Sequence, residues 1–313
     1  MSAQRLKSKD SLVEDESPPP TSAPGRMVKE RNAYYELTKP GIAGFVAITA
    51  GVSYFVGAAG SPELIPALHT LFGTAVATGG ALALNQYVER EVDGRMKRTR
   101  SRPLPSGRME PGRALAFGVL LTGVGVAWLG EFLGFIPALI TAISAAAYLG
   151  AYTPLKSRSY MATIVGAVPG ALPALIGWSA ATGSLSLGGW VLFGIYFLWQ
   201  LPHVLALAWI LREDYLAVGF FLAPRTDPLG QRIGRHMVYH SISLLVLSVM
   251  PTVLGMTGLI YAAGAVGLSL AMLGAAALAA QEMTDKRVRR VFLASILYQP
   301  LLLIFLLLNT LPG

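Results

Sequence analysis

Nine apolar stretches follow one another along the chain, each bounded by a short polar or charged break. They fall near 41–59, 64–88, 112–130, 132–152, 160–182, 187–211, 235–257, 258–280 and 288–309. Each has roughly the ~20 residues that a helix needs to cross the hydrocarbon core of a bilayer. Backbone groups at that depth must be satisfied within the segment, which selects helix over other structure. The pattern therefore predicts an all-α, polytopic membrane protein with nine transmembrane helices. The pairs 112–152 and 235–280 are split only by Gly130-Glu131 and Gly255-Met-Thr-Gly258, so those turns are tight. Pro169 and Pro173 lie inside the fifth stretch and Pro202 inside the sixth. Prolines at membrane depth free backbone carbonyls and often mark a kink beside a cavity.

Residues 1–33 read differently. They are polar, of mixed charge and rich in Pro and Ser (Ser17 to Pro24), with little to bury. A disordered tail is expected there, followed by one transmembrane domain over 34–313. No apolar stretch with a small-residue cleavage site marks a secretory signal. Asp10, Glu14, Asp15 and Glu16 argue against a mitochondrial address, since transit peptides avoid acids.

Composition sharpens the picture. Hydrophobic residues make up 53% of the chain and charged ones 13%, about half the charged share of a soluble domain. There is no cysteine, which excludes disulfides, thiol catalysis and Cys-based zinc sites. The net charge of +8 raises the question of nucleic acid, and the placement of the charges answers it. All 25 Lys and Arg fall in five segments: the tail up to Lys39, 90–113, 156–158, 212–235 and 286–290. With alternating spans these segments share one side, and the loops opposite carry only Glu63 and Glu131. The positive-inside rule makes that side cytoplasmic, with the N-terminus in and the C-terminus out. Topology thus explains the basic charge, and no nucleic acid is expected. The expected location is the inner membrane of a bacterium, with the mitochondrial inner membrane as the alternative.

Two of the charged loops hold more than orientation requires. After the second stretch, Asn85, Glu89 and Asp93 are spaced i, i+4, i+8, which puts their oxygens on one helix face about one turn apart. Such a set suits Mg²⁺, which keeps several waters and bridges carboxylates to substrate phosphates. Arg95, Lys97, Arg98, Arg100 and Arg102 follow at once, and cations beside a carboxylate–metal site are what a diphosphate requires. The competing reading is a solvated helix end with i,i+4 ion pairs and an orienting patch. On the residues alone the two balance.

Asn85-x-x-x-Glu89-x-x-x-Asp93, followed by Met96-Lys-Arg-Thr99 and Arg102-Pro-Leu104, resembles the first signature of the UbiA-type intramembrane prenyltransferases. The middle Glu and the Arg-Thr…Arg-Pro-Leu run resemble the protoheme IX farnesyltransferases in particular. The resemblance covers the chain from about Tyr35 onward. Tyr152-Thr-Pro-Leu-Lys156 is similar to the Tyr-x-x-x-Lys element of that superfamily. Read physically, Lys156 is a cation at the mouth that can meet a diphosphate, and Tyr152 offers a π face to an allylic cation. The bland alternative is a helix-end Lys with an interfacial Tyr.

Trp199-Gln-Leu-Pro-His203, with Asp214-Tyr215 beyond, resembles a third family station. His203 lies nine residues above Arg212, roughly 13 Å into the membrane. It could ligate haem iron, bind a propionate, accept a proton, or simply hydrogen-bond a carbonyl freed by Pro202. A second Asp-x-x-x-Asp element of many relatives is missing. Glu213 and Asp214 stand there instead, and Asp214 is the expected ligand if a second metal binds. His236 and His240, spaced i, i+4, could present imidazoles to one metal or haem, with His236 read as interfacial and His240 as a haem candidate. His69 is read as structural.

The resemblance implies transfer of the farnesyl group of farnesyl diphosphate to a vinyl group of haem b, giving haem O for haem–copper oxidases. It implies Mg²⁺ on Asn85, Glu89, Asp93 and Asp214, and diphosphate on Arg95, Lys97, Arg98, Arg102 and Lys156. Asp93, Tyr152, Lys156 and His203 would carry catalysis, with His203 and His240 toward the haem. Haem A synthase or a terminal oxidase would be the partner. The rivals are a prenyltransferase for a quinone or aromatic precursor, and a secondary transporter with broken helices.

Overall fold

Each long apolar stretch forms a helix. The computed structural model describes residues 32–222 and 227–312. Among the described residues, nine helices are long and apolar enough to cross a membrane. In chain order the elements are α1 (Pro40–Gly57), α2 (Leu64–Arg95), α3 (Pro111–Leu133), α4 (Phe135–Ala146), α5 (Ala162–Thr182) and α6 (Leu187–Ile210). A short α7 (Arg212–Ala217) precedes α8 (Gln231–Ser248), α9 (Leu259–Gln281) and α10 (Asp285–Asn309). The fourth span continues past α4 through a π-turn, Ala147–Tyr152, to Leu155. Most of the expected tail lies outside the described residues. Residues 32–38 are already helical, and Ala33 and Leu37 are buried against Ala83, Leu104 and Ala114.

Local chemistry explains the ends. Pro40 and Pro111 stand at the first helical position, where a missing N–H costs nothing. Gly134, with φ +96°, separates α3 from α4. Thr284 caps α10 by accepting from the Arg287 N–H. The principal departure from the expected pattern is α2. It runs to Arg95, about two turns beyond the apolar stretch, so Asn85, Glu89 and Asp93 share one unbroken helix.

The helices pack as a ring of neighbours. α1 lies against α2 and α5, α2 against α3, and α4 against α3 and α5. α6 joins α5 to α8 and α10, and α9 bridges α8 and α10. With no hydrophobic drive between helices in lipid, close approach depends on small residues. A Cβ at Gly80 would strike the Thr122 backbone of α3, and one at Gly177 would strike the Ala50 carbonyl of α1. Leu259, Phe135 and Leu308 are 80%, 75% and 75% exposed, as side chains facing lipid are. Pro173 has no N–H for the Pro169 carbonyl, and the Ser144 hydroxyl of α4 donates to it at 3.1 Å instead.

Candidate active site

Asn85, Glu89 and Asp93 are 2%, 8% and 3% exposed, all on one face of α2. Buried acids need partners. The Lys156 ammonium donates to Glu89 at 2.8 Å, the Arg102 guanidinium to Asp93 at 2.6 Å, and the Asn85 amide to the Thr153 hydroxyl at 3.1 Å. Arg102 reaches back because the loop after α2 coils on itself. The Thr99 hydroxyl donates to the Asp93 carbonyl, and the Arg102 N–H to the Thr99 carbonyl. Buried Met96, Leu104 and Met109 pin that loop to the bundle.

Lys156 is placed by the π-turn. Pro154 has no N–H to continue the α ladder, and the Thr153 hydroxyl donates to the Tyr148 carbonyl five residues back. Tyr148 and Tyr152 then stack at 5.5 Å between ring centroids, and the Lys156 ammonium sits 4.4 Å above the Tyr152 ring. Gly166 of α5 leaves room for that ring, since a Cβ there would overlap it. Burial alone works to lower the Lys156 pKa. Its contacts with Tyr152 and Glu89 outweigh that and hold it above the usual lysine range, so it is a cation.

The loop after α6 closes over this group. The Phe221 N–H donates to the Lys156 carbonyl at 2.7 Å. Tyr215 of α7 is buried with Met96, Ala162 and Phe220, and its hydroxyl accepts from Arg98 at 3.2 Å.

Beneath the cluster lies a cavity of about 430 Å³, within the range of small-molecule sites. Its walls come from α1, α2, α4 and its π-turn, α5, α6, α7 and α10, and include Tyr148, Tyr152, Pro169, Pro173, Trp199, His203 and Tyr215. His203 stacks between Trp199 and Phe292, and its Nδ1 lies 2.8 Å from the Ser295 hydroxyl. A bond to a carbonyl freed by Pro202 is not what holds it.

Several expectations meet a different geometry. His240 does not line the cavity; it stacks on exposed His236 at 6.0 Å. Asp214 is half-buried, and among the described residues no three His, Asp or Glu groups gather to hold a metal. The turn from α6 into α7 brings Tyr215, rather than Asp214, onto Arg98. Arg95, Lys97 and Arg98 are all exposed; of these Arg98 reaches the Tyr215 hydroxyl, while half-buried Arg102 reaches Asp93. His69 packs with Trp128 and Phe132, as a structural residue does.

The structure also adds residues. Lys39, with φ +44°, precedes Pro40 and lines the cavity. Burial, together with Arg102 and Lys156, lowers its pKa to about 8. From sequence its position before Pro40 marks only an orienting charge. Tyr148, Gln200 and Gln299 line the cavity as well. Tyr148 carries a signal, being one turn before Tyr152; Gln299 carries none beyond being polar in an apolar stretch.

The donor set fits a hard divalent cation. The bonds described leave the Asn85 amide oxygen and one oxygen each of Glu89 and Asp93 without a partner among the described residues. Hard oxygens from an amide and two carboxylates, in one helix register, are suited to Mg²⁺ with substrate phosphates completing the shell.

The family model for the UbiA prenyltransferase family matches residues 46–305. A relative from Solibacter usitatus, called protoheme IX farnesyltransferase, is 43% identical over 90% of this chain and 99% of its own. One of the same name from Opitutus terrae is 41% identical over 86% and 92%. A solved structure described as digeranylgeranylglyceryl phosphate synthase superposes with a TM-score of 0.77 at 17% identity, over 90% of this chain and 98% of its own. A UbiA homologue from Archaeoglobus fulgidus, described as bound to GPP and Mg²⁺, does so at 0.64 and 12%, over 88% and 99%.

Proposed function

The chain belongs to the UbiA prenyltransferase family, and from that premise we propose that it joins farnesyl diphosphate to a vinyl group of haem b, giving haem O. It is a prenyltransferase and a multi-pass membrane protein. One observation carries the mechanism: a buried acid-and-cation cluster adjoins, through the Tyr152 ring under Lys156, an apolar cavity whose wall holds a histidine. Farnesyl diphosphate presents the same two halves, a polyanion and a C15 chain.

Asn85, Glu89 and Asp93 would hold Mg²⁺, as the Archaeoglobus homologue bound to GPP and Mg²⁺ supports. Bound there, the ion supplies charge neutralisation of the leaving diphosphate. Lys156 and Arg102 now spend their charge on Glu89 and Asp93. Lys156 and Arg102, with Lys39 and Arg98, would hold the diphosphate as it leaves. Tyr152 and Tyr148 offer ring faces to the allylic cation as the C1–O bond breaks. The cap of Tyr215 and Phe220 excludes water from the mouth. His203 faces the haem from the cavity wall.

The test is direct. Membranes holding the protein, given haem b and labelled farnesyl diphosphate, should yield a farnesylated haem. Label recovered on a quinone precursor instead would favour the rival acceptor. Family membership removes the transporter reading. We place the basic loops and the N-terminus in the cytoplasm of a bacterial cell, and the C-terminus outside the inner membrane. A C-terminal tag should then be reached only from the outer side; labelling from the cytoplasm would mean an even number of spans. Haem A synthase or a terminal oxidase would take the product.

A further inference from the structure

We infer that Gln299 and His203 handle the water that completes the reaction, and that Ser295 sets His203 in the form this requires. The inference rests on the farnesyl-transfer reading and concerns its last step.

The first observation is an orphan. Gln299 is 3% exposed and lines the cavity, and its Oε1 is buried with no hydrogen-bond partner. Its other end is fixed. The Thr49 hydroxyl donates to the Phe45 carbonyl at 3.0 Å, so its oxygen is left to accept from the Gln299 amide N–H at 3.2 Å. A carbonyl acceptor is therefore held at membrane depth in the site, and its lone pairs call for a donor.

The second observation fixes a proton. The Ser295 hydroxyl lies 2.6 Å from the Phe292 carbonyl, two oxygens that need a hydrogen between them. Serine has one hydrogen, and it is used there. The contact of 2.8 Å between Ser295 Oγ and His203 Nδ1 then takes its hydrogen from the histidine. Nδ1 carries the proton, and in the neutral ring Nε2 is the bare nitrogen, an acceptor rather than a donor. Ser295 holds Trp199 as well, whose indole N–H donates to the Ser295 carbonyl at 2.8 Å. Ser295 and Gln299 stand i, i+4 on α10, so their side chains lie about 5–6 Å apart on one face.

The chemistry needs both groups. As the farnesyl C1–O bond breaks, its electron pair leaves on the diphosphate. The vinyl π pair forms the new C–C bond to C1, which leaves the ring-attached carbon cationic. Water adds to that carbon through its oxygen and must shed one proton. Gln299 Oε1 holds the water by accepting one of its hydrogens, and Nε2 of His203 takes the proton that is lost. The sum is farnesyl diphosphate, haem b and water giving the alcohol, diphosphate and a proton, with no change of oxidation state. Where water is not held, the same cation loses a neighbouring proton and closes to an alkene.

Product identity is the readout, because a purely structural role would not move it. Purified protein in excess, with haem b, farnesyl diphosphate and heavy-oxygen water, should give an alcohol that carries the label. In Gln299→Leu the ratio of alkene, one water lighter, to alcohol should rise on the order of 10²-fold, as expected when a reactant loses its positioning. Gln299→Glu keeps an acceptor of the same reach and should restore the alcohol. Ser295→Ala should shift the ratio in the same direction, and Ser295→Thr should return it, while a melting curve establishes that each variant is folded. Alcohol as the sole product in Gln299→Leu and Ser295→Ala, or an unlabelled hydroxyl in wild type, overturns the inference. Wild type forming no prenylated haem at all would defeat the farnesyl-transfer reading itself, which is a separate result.

Discussion

Asp93→Asn should lose farnesyl transfer by about 10²–10³-fold, the usual effect of removing one electrostatic partner of a developing charge. The substitution keeps the shape of the side chain and an oxygen that can accept from Arg102. It removes one of the two carboxylate charges on the α2 face. The Asp93 side chain is 4% exposed and that of Arg102 is 27% exposed, so the pair straddles the edge of the protein. Arg102 left without its carboxylate is still reached by water, and the stability lost should stay within ~1.5–3 kcal/mol, the worth of a hydrogen bond to a charged group. Folded yield in detergent should therefore approach wild type while turnover collapses. The Mg²⁺ concentration for half-maximal rate should also rise. Turnover at the wild-type rate, with unchanged Mg²⁺ dependence, would take Asp93 out of the site.

The bundle was legible because membrane helices are written in length and hydropathy, and nine stretches became nine spans among the described residues. The register of Asn85, Glu89 and Asp93 was legible too, since a helix face follows from spacing alone. What the spacing did not give was partners. That Glu89 meets Lys156, 67 positions away, depends on how α2 packs beside the π-turn, and the sequence holds no local sign of that packing. The π-turn has a cause in Pro154, yet a proline inside a span can equally give a kink. Lys39 was counted as an orienting charge because its neighbours are polar, whereas its left-handed backbone turns it into the cavity mouth. Asp214 and His240 do not line the cavity, for a related reason. Both stand in suggestive sequence contexts, but the short helix α7 brings Tyr215 to Arg98, and His240 stacks on His236 of its own helix. Ser295 and Gln299 were invisible, since small polar residues in a span usually serve helix packing.

Lys156→Met should both destabilise the protein and abolish transfer, and a second substitution should pull the two effects apart. The Lys156 and Glu89 side chains are each 10% exposed and 2.8 Å apart. Methionine would fill the space of the lysine stem but leave Glu89 as a buried charge without its partner. Breaking a buried pair in this way costs about 3–5 kcal/mol, most of it the penalty on the charge left behind. Adding Glu89→Gln removes that charge, and the double variant should recover most of the lost stability in a melting curve. Activity should not return. The double variant lacks both the cation we propose to face the diphosphate and a carboxylate of the proposed metal set, so transfer should stay down by 10³-fold or more, about 4 kcal/mol of barrier. Farnesyl diphosphate should also bind more weakly, while haem b, which we propose to lie at the His203 wall, should bind as before. A double variant that regains transfer together with stability would make the pair a structural strut and move the diphosphate to Lys39, Arg98 and Arg102. A single variant that melts like wild type would mean that another cation takes the place of Lys156 beside Glu89.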